Sequence, residues 1–268
     1  MGTESRNPNT THIDKASTLE MLSMIQAENV YATAIVGRAL SQIEKAVDAV
    51  VDGIKEGGRL IYMGAGTSGR LGVIDAAECP PTFGVDPGLV IGIIAGGANC
   101  MFKAAEGEED SGESGIADLS AYNITPEDRI VGISAAGNAA YVADALAYAR
   151  SVGCVTIGLT ANYGSRLATE SDIAIVAETG AEAVTGSTRM KAGTAQKLIL
   201  NMLSTCAMIQ TGKVYENLMI NLKPSNVKLR RRVISIVTEL CGCDGERAVE
   251  LLDAHDWVIR DAVDAYKS

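Results

Sequence analysis

From residue 17 to about residue 56 apolar side chains recur at three- and four-residue intervals, through Leu19, Leu22, Ile25, Ile35, Val36, Leu40, Ile43, Val47 and Ile54. That is the period of one helical face, and it predicts two helices ahead of any strand. The pattern then changes to short apolar bursts closed by Gly, Ser or Thr, at 59–63, 89–94, 129–134, 154–160 and 172–176. Five buried strands are expected there. Helical segments at 68–77, 99–106, 114–121 and 139–151 separate them, so the strands should pair in parallel through right-handed crossovers. A long helix over 189–212 carries Leu198, Ile199, Met202, Leu203, Ala207 and Ile209 and should stop at Gly212. From residue 225, Val227, Leu229, Val233, Ile236, Val237 and Leu240, then Val249, Leu251 and Leu252, then Trp257, Val258 and Val263 predict three more helices. The organisation expected is an N-terminal helical segment over 1–56 packing on the core, a sheet domain over 57–222, and a small three-helix cap over 223–268.

Composition narrows this. Of the 268 residues, 47% are hydrophobic but only 4% aromatic, and 28 are Gly, so the core must be closely packed Ala, Val, Ile and Leu, as in a parallel sheet covered by helices. A formal charge of −10 leaves no broad cationic surface for a nucleic acid or an anionic membrane, and neither partner is expected. Cys79, Cys100, Cys154, Cys206, Cys241 and Cys243 lie in apolar or helical stretches without paired C-x-x-C spacing and read as reduced core residues. The polar stretch 1–17 has no apolar secretion segment, and the run 89–102 is too interrupted to span a bilayer, so a cytoplasmic location is expected. His12 and His255 are the only histidines, which argues against a His-based triad or a multi-His metal site. No metal is expected, and acid–base chemistry falls to carboxylates, Lys, Tyr or Cys.

Gly64-Ala65-Gly66-Thr67-Ser68-Gly69 follows a predicted strand and opens a predicted helix, where free backbone N–H groups hold anions. A dinucleotide site would also want an acid at the end of the next strand, and Ala95-Gly96-Gly97 stands there instead. Thr67 and Ser68 suit a phosphate monoester or sugar hydroxyls; otherwise the glycines serve tight strand–helix packing. Glu78 precedes Pro80-Pro81, so its helix should end there, placing the carboxylate in a last turn whose dipole disfavours its charged form. A solvated helix-end glutamate is the plainer alternative. Glu106, Glu108, Glu109, Asp110 and Glu113 crowd a loop on the same edge of the sheet, and either Asp110 or Ser111 could cap the next helix. Nothing in spacing chooses among these acids. Ser134-Ala135-Ala136-Gly137-Asn138 makes a further turn on that edge. Ser187 and Thr188 either cap the long helix or, with Lys191, bind an anion; Lys191 could equally be surface charge.

Four strings carry a resemblance: Gly64-Ala-Gly-Thr-Ser-Gly-Arg-Leu-Gly72, Asp75-Ala-Ala-Glu-Cys-Pro-Pro-Thr-Phe-Gly84, Glu106-Gly-Glu-Glu-Asp110 and Thr185-Gly-Ser-Thr-Arg-Met-Lys-Ala-Gly-Thr-Ala-Gln-Lys197. Together they resemble the N-acetylmuramic acid 6-phosphate etherases, over roughly residues 4–240. The resemblance implies an α/β fold of the sugar isomerase (SIS) type, a five-stranded parallel sheet sandwiched by helices, forming a homodimer with sites at the subunit boundary. It implies a lyase of peptidoglycan recycling that removes the D-lactyl ether of N-acetylmuramic acid 6-phosphate, a phosphorylated amino sugar, without cofactor. By motif match its catalytic pair falls on Glu78 and Glu109, assigned here as acid and base respectively. Gly66, Thr67, Ser68, Gly69, Ser134, Gly137, Asn138, Ser187 and Lys191 would surround the substrate.

Two proton-transferring carboxyl groups suffice for such chemistry. In the open-chain sugar C2 neighbours an aldehyde, so its deprotonation gives an enolate, lactate leaves from C3, and water adds back. Three departures from the family pattern stand out. Ala135-Ala136-Gly137-Asn138-Ala139-Ala140-Tyr141 replaces Ala-Ser-Gly-Arg-Thr-Pro-Tyr, with two hydroxyls and a guanidinium lost. Glu108 replaces a small residue, and the family continues through further helices where this cap ends at Tyr266-Lys267-Ser268. A non-catalytic sugar-phosphate-binding regulator and an isomerase, or an etherase of altered substrate, are the alternatives.

Overall fold

The computed structural model describes residues 2–103, 107–221, 224 and 226–267. Glu106 of the acidic run, the expected 222–223 domain boundary and Ser225 at the expected start of the tail lie outside the described residues. In chain order the elements are α1 (Thr18–Arg38), α2 (Leu40–Lys55), β1 (Leu60–Gly64), α3 (Gly66–Phe83), β2 (Val90–Ile94), α4 (Gly112–Ser120), β3 (Arg129–Ile133), α5 (Ala140–Val152), β4 (Val155–Thr160), α6 (Arg166–Glu170), β5 (Ile173–Val176), α7 (Lys191–Gln210), α8 (Val227–Cys241), α9 (Gly245–Ala254) and α10 (Ile259–Lys267). All five expected strands form, within a residue of their expected ends, and every pairing is parallel in the order β2-β1-β3-β4-β5. Where the segment 99–106 was expected to be helical, only a short 3-10 turn, Ala98–Met101, is described. The five-residue α6, capped by Ser165 accepting from Ala168 N, is too short to show a period in sequence.

The chain falls into two compact units, one made of residues up to Ala77 with Gly88–Ala207, the other of Glu78–Pro87 with the residues from Met208 onward. In the first, alternate strand residues face opposite layers. Ile61, Met63 and Ile130 bury against Tyr141, Val142 and Leu146 of α5, and Gly132 leaves room where a Cβ would lie 2.6 Å from Val142. On the other face Tyr62 donates to Asp75 of α3 (2.9 Å), which also accepts from Asn201 of α7 (2.6 Å). Helices thus cover both faces. In the second unit, Ile220, Val233, Val237, Ala248, Leu252, Ile259 and Ala262 form a closed apolar core for the three-helix cap.

The expected stop before Pro80-Pro81 is corrected, because α3 continues through both prolines to Phe83. A proline lacks the N–H for one helical bond but its φ is helical, so packing can carry a helix past it. Cys79 and Phe83 are buried, and Gly84 closes the helix by donating to Pro80 O at 2.9 Å. The close approach continues at Gly84, where a Cβ would lie 1.8 Å from Asn221 O.

At the amino ends of β1 and β3, the buried Asp128 carboxylate accepts from Arg59 N (2.8 Å), Nε (2.9 Å) and Nη2 (2.7 Å) and from Thr125 N (2.9 Å). Burial acts to raise its pKa, but the bonds from Arg59 and Thr125 outweigh it and hold the carboxyl below the ordinary range. Its contribution to stability is therefore full above the unfolded-state value of about 3.9 and is lost as pH falls through the lower folded value. Asp128→Ala should cost about 3 kcal/mol, and so lower Tm by roughly 6–12 °C in calorimetry at neutral pH. A shift under about 2 °C would deny the cluster this role.

Candidate active site

The strand order sets the location. The chain leaves β1 for β2 on one side and returns to β3 on the other, so the connections after β1 and β3 depart to opposite faces and open a crevice at the carboxyl edge. The first leads into α3 and the second into α5. A cavity of about 310 Å³ lies there, walled by Ala65, Gly66, Thr67 and Ser68 after β1 and by Ile133, Ser134, Ala135, Ala136 and Ala139 after β3. Glu109, from the 3-10 turn Glu108–Asp110, completes it together with Glu4, Gly186 and Thr188.

The turn after β1 is steric in origin. A Cβ on Gly64 would come within 2.6 Å of Gly69 N, and one on Gly69 within 2.4 Å of Gly64 O. Gly66 turns the corner with φ of +53°, a conformation that favours glycine. Gly69 N, bonded to Ala65 O at 3.2 Å, makes the first helical bond, so the amides of residues 66–68 have no helical acceptor, the arrangement that suits an anion. Ser68 Oγ donates to Gln196 Oε1 at 3.0 Å, which leaves the Ser68 amide and the Thr67 hydroxyl as cavity groups.

Of the expected site residues, Gly66, Thr67, Ser68, Ser134 and Glu109 therefore share this cavity. Gly69 and Gly137 are placed by packing and do not line it. Gly137, at φ +77°, donates to Ser134 Oγ (3.0 Å), and a Cβ there would lie 2.2 Å from Ser165 Oγ. Asn138 accepts from Arg166 N at 2.9 Å and faces an adjoining cavity of about 480 Å³ that shares Glu4 and Ala136 with the first. Ser187 is half-buried and off the lining, with its neighbours Gly186 and Thr188 on it. Of the alternative caps for α4, Ser111 is used, accepting from Ser114 N at 3.2 Å.

Lys191 requires a correction. Its side chain is buried in an ion pair with Glu28 and lies 5.4 Å from the Tyr31 ring centroid, in a separate cavity of about 460 Å³. The expected cap by Ser187 or Thr188 is also replaced. The fully buried Glu182 carboxylate accepts from Lys191 N (2.9 Å) and Ala192 N (3.0 Å), so the start of α7 already holds an anion supplied by the chain itself. A cap from nine residues upstream leaves no local sequence signature. Burial acts to raise the Glu28 pKa, but the Lys191 and Asn9 bonds outweigh it and lower it.

Glu78 belongs to the second unit, where it is exposed and lies more than a turn before the end of α3. The dipole argument for it loses its premise, since the helix does not end beside it. Glu109 is exposed as well, so neither carboxylate is shielded within the single chain. Sequence reasoning missed Glu4, which sits in a polar stretch without periodicity. Of the two alternatives for Thr188, a cap or an anion-side residue, the structure places it on the cavity wall. Among the described residues no cluster of three or more His, Cys, Asp or Glu could hold a metal ion, and no helix is long and apolar enough to cross a membrane.

Comparison with known proteins fits this geometry. Residues 42–150 match the glucokinase regulatory protein N-terminal SIS domain, and residues 104–206 match the SIS domain. A phosphoheptose isomerase from Francisella tularensis shares the fold at a TM-score of 0.57 and 18% identity, over 72% of this chain and 100% of its own. A parallel sheet with its cavity at the β1–β3 switch point is thus that of an SIS-domain protein. The N-acetylmuramic acid 6-phosphate etherases of Yersinia pestis (strain Pestoides F) and Yersinia pseudotuberculosis (serotype O:1b, strain IP 31758) are each 50% identical over 260 residues, 97% of this chain and 88% of theirs. The chain belongs to the N-acetylmuramic acid 6-phosphate etherase family.

If the Lys191–Glu28 pair is structural, Lys191→Met alone should destabilise by about 3–5 kcal/mol, whereas Lys191→Met with Glu28→Gln should regain much of that loss. Thermal melts of the four proteins would check this, and equal Tm values for single and double variants would refute it.

Proposed function

We propose that this protein is a carbon–oxygen lyase that cleaves the D-lactyl ether of N-acetylmuramic acid 6-phosphate, giving N-acetylglucosamine 6-phosphate and D-lactate. The observation that carries the reading is the meeting, in one cavity, of a free helix N-terminus with Glu109, in a chain half identical to etherases. The amides of residues 66–68 and the Thr67 hydroxyl hold the phosphate, with the α3 dipole favouring its charge. The buried Ser134, in the turn after β3, adds a hydroxyl.

Chemistry then follows from where a base can stand. Glu109 takes the C2 proton of the open-chain sugar, and the electron pair is delocalised into the C1 aldehyde. The C3–O bond breaks, Glu78 gives its proton to the departing lactate oxygen, and an α,β-unsaturated aldehyde remains. Glu78 then deprotonates a water that adds to C3, and Glu109 returns the proton to C2, so the sum is water plus ether giving two alcohols. The protein acts in the cytoplasm in peptidoglycan recycling as a homodimer, with Glu78 offered to the sugar in a partner's cavity. The exposure of both glutamates in one chain fits a site completed by a second copy.

Incubation with the substrate in deuterated water, reading D-lactate and label at C2, tests the reaction. Glu78→Gln and Glu109→Gln should each reduce lactate release by roughly 10²–10⁴-fold with the cooperative melt retained. Mixing the two inactive variants should restore activity if sites span subunits. Near-normal rates in either single variant would remove that residue from the scheme.

A second reading has its own observation. Ala136 and Ala139 stand in the cavity wall where the family pattern carries hydroxyls, which favours weaker or altered binding or a sugar-phosphate sensor. Ala136→Ser should lower KM several-fold, as one regained hydrogen bond of about 1 kcal/mol would. Tight binding of the substrate with neither lactate nor label would instead identify the sensor, and label without lactate an isomerase-like activity.

A further inference from the structure

We infer that Glu4 is a positioning residue for the sugar, accepting a hydrogen bond from a neutral N–H or O–H group of the substrate in the cavity. The inference rests on the reading above, that a phosphorylated amino sugar occupies the β1–β3 cavity.

Glu4 and Glu109 are the two carboxylates of that wall, and the other polar groups there are hydroxyls and amides. Glu109 is committed to the C2 proton. A carboxylate elsewhere in the wall repels the phosphate and the lactyl carboxylate, by about 1 kcal/mol at 4 Å even in water and by more in a cavity. The neutral donors of the sugar, its acetamido N–H and its hydroxyls, are what remain for Glu4 to bind.

The segment that carries Glu4 is held, so its carboxylate does not sample the cavity at random. Thr3 is buried at 1% exposure, and Ser5 N donates to Gly2 O at 3.0 Å. Asn7 Nδ2 donates to Ala181 O at 3.1 Å and Thr10 Oγ1 to Ala183 O at 2.8 Å, which pins the strap to the loop after β5. On the far side Gly186 leaves room for the carboxylate, since a Cβ there would lie 3.3 Å from Glu4 Oε2. Exposed itself, Glu4 can be changed without disturbing the core.

Steady-state lactate release should show Glu4→Ala raising KM roughly tenfold or more, the equivalent of about 1.4 kcal/mol, with kcat changed less. Glu4→Gln keeps an acceptor oxygen but loses its charge, so its KM should rise less than in Glu4→Ala while kcat falls far less than in Glu109→Gln, where a proton-transfer group would not tolerate the amide. Calorimetric binding of N-acetylglucosamine 6-phosphate reads the same contact without turnover and should weaken roughly tenfold in Glu4→Ala. Absence of lactate from the parent protein would sink the etherase reading alone, since sugar-phosphate binding still reports on Glu4. Unchanged binding in Glu4→Ala, or a kcat in Glu4→Gln as low as in Glu109→Gln, would overturn the inference.

Discussion

The contact between Gly64 and Gly69 is the constraint on which the site depends. With backbone atoms this close, no side chain larger than hydrogen fits at either position, and the end of β1 is pressed against the first turn of α3. That contact fixes the turn that carries the amides of residues 66–68, and the register pairing Gly64 with Ile133 brings the turn after β3 into the same cavity. A longer or looser turn would move the anion site away from Glu109. The glycines therefore pack the helix on the strand, and by doing so they fix where the amides that we propose hold the phosphate stand.

The layered fold was legible because its signals are local and repetitive. Strand bursts such as 129–134 and the amphipathic face of Val233, Ile236 and Val237 each declare their own period, and the structure forms them nearly residue for residue. What was illegible depends on partners distant in sequence. Pro80-Pro81 reads as a stop, yet the helix continues because Cys79 and Phe83 are buried. Lys191 reads as a phosphate ligand, yet Glu28, 163 residues away, claims it. The family strings located Thr67, Ser68 and Glu109 within one cavity, but they are silent on Glu4, whose role follows from the path of a strap without secondary-structure period.

The helix starts at α7 and α3 are satisfied differently. At α7 both carboxylate oxygens of Glu182 are spent on Lys191 N and Ala192 N, and Glu28 neutralises the nearby ammonium. At α3 the amides of residues 66–68 have no helical acceptor, and Thr67, Glu4 and Glu109 line the same cavity.

The strap that carries Asn7 and Thr10 bonds to Ala181 and Ala183, residues 174 and 173 positions later in the chain. During synthesis at about 5–20 residues per second, that separation is a wait of roughly ten to thirty seconds. The sheet strands can assemble in the meantime, each on its neighbour, while Asn7 and Thr10 still lack these two acceptors. The two bonds that hold the strap carrying Glu4 therefore form late in synthesis, once the loop beyond the last strand has emerged.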